Sequence, residues 1–66
     1  MYNNLRAEMA RKSVLGKDIA KALGTRQATI SSRLTGKTEF TFKEALVIRD
    51  TFFPHQKMEY LFKEAR

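Results

Sequence analysis

The stretch GKDIAKALGTRQATISSRLTG, Gly16 to Gly36, decides how this chain folds. Ile19, Ala20 and Leu23 form an i, i+1, i+4 apolar face, and Ile30 and Leu34 repeat the i, i+4 interval. Gly24 separates the two groups. The spacing predicts helices over 16–23 and 27–34 joined by a short turn. Two helices joined this tightly, at about 90–120°, approach closely near the turn, so one contact position has to be small. Ala20 supplies it, four residues before Gly24. The turn needs a residue tolerant of positive φ, which Gly24 supplies. Ile19, Leu23 and Ile30 then bury against one another and set the angle.

Working outward, helical spacing continues on both sides. Leu5 and Met9 predict a helix over 3–13. Ala45, Ile48 and Phe52 predict one over 42–53, and Met58, Leu61, Phe62 and Ala65 one over 55–64. Thr41-Phe42-Lys43-Glu44 reads as a capping box, with Phe40 placed to begin a hydrophobic staple. Pro54 is expected to end the fourth helix and open the fifth. The helix at 16 starts poorly, because neither Leu15 nor Gly16 has a side chain that accepts a hydrogen bond. The expected core is Leu5, Met9, Ile19, Ala20, Leu23, Ile30, Leu34, Ala45, Ile48, Phe52, Leu61 and Phe62. Phe40, Phe42, Phe53 and Met58 are expected at its edge. This is an all-α, five-helix reading, with residues 1–66 as one domain.

Composition narrows the function. A chain of 66 residues buries only about 60% of the surface its unfolded form exposes. It contains no cysteine, so disulfides and thiolate metal sites are excluded, and a single histidine, His55, excludes a multi-histidine site. Five phenylalanines supply the apolar payload instead. The net charge of +6 is unevenly placed. Residues 1–37 carry Arg6, Arg11, Lys12, Lys17, Lys21, Arg26, Arg33 and Lys37 against Glu8 and Asp18. Residues 38–66 carry five basic and five acidic side chains. A one-sided basic field points to a polyanion, nucleic acid before anionic membrane. No apolar run approaches the roughly 20 residues of a spanning helix, and no signal-peptide core is present.

The Ile19-Ala20, Leu23-Gly24, Thr29-Ile30-Ser31 and Leu34-Thr35-Gly36-Lys37 pattern resembles the helix-turn-helix of the lambdoid phage repressor and Cro family (XRE-like regulators). Phe40-Thr41-Phe42-Lys43-Glu44 is similar to that family's capped fourth helix, and the likeness covers roughly residues 4–53. The resemblance implies a compact five-helix lambda-repressor-like domain, with the third helix in the DNA major groove and the second crossing the backbone. It implies Arg26, Gln27, Ala28 and Ser32 as base readers, with Arg33 on base or phosphate. Lys17, Thr25, Thr29, Ser31, Lys37 and Thr38 would contact phosphates, with backbone N–H groups at helix starts. The residue chemistry agrees: glutamine pairs with adenine, arginine with guanine, and alanine touches a thymine methyl. The chain departs from the family at Leu15 and Gly16, where many members have a polar cap and then glutamine. It departs also at Arg26, where a serine or threonine often caps, and at Arg33, where many have an apolar residue.

The partner expected is double-stranded DNA, bound by a weak homodimer completed on the operator, in the cytoplasm of a bacterial or phage-infected cell. Sixty-six residues leave no room for a separate dimerisation domain, so Phe53, His55, Met58 and Phe62 are the candidate dimer contacts. The alternative is a protein-interaction module, an antitoxin or anti-repressor partner using the apolar second half. A single-strand or RNA binder fits less well, since Tyr2 is the only aromatic in the basic half. Catalysis is not expected: Asp18, Glu44 and Glu59 read as helix-end or surface charges, and His55 has no partner at a catalytic spacing. No cofactor, metal, membrane or small-molecule substrate is expected.

Overall fold

The computed structural model describes residues 2–63 as five helices: α1 (Asn3–Lys12), α2 (Gly16–Leu23), α3 (Gln27–Leu34), α4 (Phe42–Phe52) and α5 (Met58–Leu61). The all-α reading holds, and α2 and α3 have the expected bounds. α2 packs on α3 and on α4, while α1 and α4 each pack on α5. The radius of gyration is 10.5 Å. No helix among the described residues is long and apolar enough to cross a membrane.

Three helices stop in the same way. At the end of α2, Gly24 has φ 67°, its N–H donates to the Lys21 carbonyl, and the Thr25 N–H donates to the Ala20 carbonyl. This is a Schellman motif. Gly36, at φ 88°, ends α3 with the Gly36 N–H on the Arg33 carbonyl and the Lys37 N–H on the Ser32 carbonyl. Ser13, at φ 57°, ends α1 with the same bonds to Ala10 and Met9. A Cβ added at Gly24 meets nothing within 4 Å, so backbone conformation rather than space calls for glycine there.

The starts are less uniform. The capping box at α4 forms as expected: the Glu44 N–H donates to Thr41 Oγ1 at 3.1 Å and the Thr41 N–H donates to Glu44 Oε1 at 2.9 Å. α2 begins at Leu15 with half a box, because the Leu15 N–H donates to Asp18 Oδ2 at 2.9 Å. Asp18 thus satisfies the Leu15 N–H, while no side chain at the N-cap accepts from the first turn.

The core consists of Tyr2, Leu5, Met9, Ile19, Ala20, Ile30, Ile48, Phe53 and Leu61. Ala45 is buried as well. Leu23, Leu34, Phe40, Phe52 and Phe62 pack against this core half-buried. Several expectations change here. Phe53, expected at the edge, is fully buried, and Phe52 is only half-buried. Phe53 is the α4 C-cap at φ −135° and has left the helical register, which turns its ring inward. Phe42 does not pack at the core edge but stands 74% exposed. The fifth helix has four residues rather than ten, and Pro54 does not open it: Pro54 lies in a turn closed by the Gln56 N–H on the Phe53 carbonyl. Ala65 and the end of the expected fifth helix lie outside the described residues.

Two groups join the chain ends to the rest. Tyr2, Phe40 and Phe62 form a ring triad with centroids 5.3–5.9 Å apart. Glu8 is 2% exposed. It accepts from Tyr60 Oη at 2.9 Å and from Gln56 Nε2 at 3.4 Å, with Arg11 3.6 Å away. Asn4 Nδ2 donates to the Tyr60 carbonyl at 2.9 Å.

Candidate nucleic-acid interface

α3 is oriented by its apolar face. Ile30 is fully buried and Leu34 is half-buried, so the opposite side of the helix faces solvent. Gln27, Ala28 and Ser31 are exposed, and Ser32 is half-buried. Ser31 is therefore the more accessible of the two serines. Arg26 is the α3 N-cap, exposed, and makes no side-chain cap bond. Thr25 is half-buried and does not cap the helix either, so no side chain closes the first turn of α3. Thr29 is half-buried within α3.

Exposed polar side chains, three of them cations, flank α2 and α3 along the chain. Lys17 in the first turn of α2, Arg26 before α3, and Lys37 and Thr38 after it are all exposed. Among the described residues, the ion pairs are Arg11–Glu8, Arg33–Glu44 and Arg49–Asp50. Lys17, Lys21, Arg26 and Lys37 take part in none of them. The site thus offers unneutralised positive charge beside a helix face bearing an amide, a methyl and a hydroxyl.

Arg33 does something else. Its guanidinium Nη1 donates to Glu44 Oε1 and to the Glu39 carbonyl, the latter at 3.4 Å. The paired side chains are only 20% and 24% exposed. Arg33 therefore points toward α4 rather than toward the open face, and its charge is already compensated. The side chain expected on base or phosphate is thus paired within the chain. Glu44 accepts from both Arg33 and the Thr41 N–H, so one carboxylate ties the end of α3, the connecting turn and the start of α4. That turn carries Lys37 and Thr38. Thr35 Oγ1 adds a second restraint, donating to the Ser31 carbonyl at 3.0 Å. Nothing local in the sequence marks this pairing, since the partners lie eleven residues apart on different helices.

The candidate dimer contacts divide. Phe53 is fully buried and offers no surface, which removes it from the set. His55 is exposed in the turn before α5, and Met58 and Phe62 are half-buried. No cluster of three or more His, Cys, Asp or Glu side chains that could hold a metal ion occurs among the described residues.

Comparison of the chain with protein-family models, characterised proteins and solved structures gives no match.

Proposed function

We propose that this chain is a sequence-specific double-stranded-DNA-binding transcriptional regulator of the repressor and Cro type. α3 enters the major groove, two copies occupy a palindromic operator, and occupancy blocks transcription. The observation that carries the reading is the open face of α3. Gln27, Ala28 and Ser31 are exposed on a helix held at a tight turn, with Lys17, Arg26 and Lys37 exposed and unpaired around them. Arg26 and Gln27 are the side chains suited to guanine and adenine, and Ala28 is suited to a thymine methyl. Ser32 reads a base from a shallower position, while Lys17, Thr25, Thr29, Ser31, Lys37 and Thr38 serve phosphates. The chemistry is binding, without catalysis, in the cytoplasm of a bacterial cell.

Selection from a random duplex library tests this. An enriched palindrome with half-sites about 10 base pairs apart supports the reading. Binding that vanishes at moderate salt, with no sequence enriched, refutes it and leaves only a basic surface. Exposed Phe42 favours a second reading, a protein-interaction module with DNA binding secondary. Its signature is a tight partner complex accompanied by featureless DNA binding.

A further inference from the structure

Phe42 is the most exposed of the large apolar side chains, at 74%. It is the first residue of α4, where the Thr41–Glu44 box already satisfies the helix start, so its ring is not needed for capping. It forms part of the wall of a groove of about 430 Å³, lined also by Tyr2, Phe40, Met58 and Phe62, with Glu39 and Glu59. The mutually packed rings of Tyr2, Phe40 and Phe62 meet in this groove. An exposed ring thus stands at the wall of an apolar hollow on one face. Such a face is self-complementary: a two-fold axis between ring and hollow seats each copy's Phe42 in the other's groove.

Charge selects the occupant. The whole +6 excess lies in residues 1–37, and residues 38–66, which supply most of this face, are balanced. Two copies can meet here without the repulsion their basic halves would impose. Glu39 and Glu59, both exposed, turn away nucleic acid and acidic partners. Lys43 is exposed next to Phe42, so each copy brings a cation as well as the two carboxylates.

We propose that Phe42 and the Tyr2–Phe40–Met58–Phe62 groove form an isologous contact between two copies of this chain. This extends the two-copy element of the proposed function by assigning it a face, on which Met58 and Phe62 take part and His55 does not. Aromatic rings bury about 150–250 Å² each, and a stable interface needs at least about 1,200 Å². The association is accordingly weak and concentration-dependent.

The cysteine-free chain permits a direct test without DNA. Phe42→Cys and Met58→Cys proteins are mixed in a glutathione redox buffer. The mixed disulfide should exceed its statistical share over the two symmetric ones. In an NMR dilution series of the unaltered chain, shifts should concentrate on Phe40, Phe42, Met58 and Phe62. Phe42→Glu should abolish the concentration dependence and leave far-UV circular dichroism unchanged, because an exposed ring supports no core. Statistical cross-linking, dilution-independent spectra, or shifts centred elsewhere would each overturn the proposal. These readouts need no DNA, so their failure leaves sequence selection standing, and failure of the duplex selection leaves this contact standing.

Discussion

Replacing Lys37 and Arg33 separately by alanine divides two kinds of arginine and lysine that look alike in sequence. Lys37 follows the α3 stop, is exposed and belongs to no ion pair. If it meets a phosphate, its loss removes one released counterion, and the slope of log K against log salt falls by about 0.9 per bound copy. Between 50 and 200 mM salt, one such contact is worth about 3.5-fold in affinity. Lys17, Arg26 and Lys37 together set a slope of about 2.7 per copy if all three reach phosphate or groove. Arg33 differs, because Glu44 already neutralises it within the protein. Arg33→Ala should weaken binding, by loosening the turn that presents Lys37, and should leave the slope unchanged. The half-buried pair is worth about 1–2 kcal/mol of stability, as expected for a hydrogen bond between charged groups that retain some water. Fluorescence anisotropy on one fixed duplex across a salt series, with chemical denaturation alongside, measures both. A Lys37→Ala slope equal to that of the unaltered chain refutes the phosphate role. An Arg33→Ala slope lowered by about one unit refutes the positioning role.

Gln27→Ala should cost about 1–3 kcal/mol on the best site and relax preference there; an equal loss on random DNA would remove Gln27 from base reading. Gly24→Ala should destabilise the fold by about 1 kcal/mol, since a left-handed backbone disfavours any Cβ and no contact is at stake. An unchanged melting temperature would show that the turn relaxes. The hydrogen bond to the Glu8 carboxylate, helped by burial and by the charge of Glu8 and opposed by Arg11, pushes the Tyr60 phenol above its ordinary value. A raised folded value favours the protonated phenol, so this stability is present below the unfolded pKa of about 10 and is lost as pH climbs past it. Tyr60→Phe should therefore remove one phenolate absorbance step and flatten the alkaline loss of stability; an alkaline stability profile unchanged by the substitution would refute this.

Much of the helix-turn-helix was legible because its demands fall on distinctive residues. A left-handed stop reads as glycine at Gly24 and Gly36, and a close approach reads as Ala20. Ser13 makes the same stop at φ 57° but carries no mark of it, so α1 ends one residue earlier than its apolar spacing suggests. Helical periodicity likewise favoured Phe52 over Phe53, and it fails at the point where the helix ends and the backbone turns Phe53 inward. On the candidate site, Ile30 and Leu34 sufficed to set which side of α3 faces out. Arg33 was not legible, because its role depends on where α4 lies.

Glu8 shows how the remaining part of the fold is specified. A four-residue helix is too short to persist alone, since its nucleus costs more than its few bonds return. α5 exists because its neighbours define it. Leu61 gives it an apolar anchor, but burial has no direction and would tolerate a slipped or rotated segment. Direction comes from Glu8, Asn4 and Gln56. A buried carboxylate is costly unless its oxygens are bonded, and both oxygens of Glu8 find their partners on Gln56 and Tyr60. Asn4 holds the Tyr60 carbonyl at the same time. Only one placement of Tyr60 meets both conditions. Tyr60 lies between Met58 and Phe62, which line the groove beside Phe42. The clasp on α1 therefore sets the hollow on the other side of α5, while α2 and α3 take no part in it. Changes at Glu8 should act on the groove first and on α3 last.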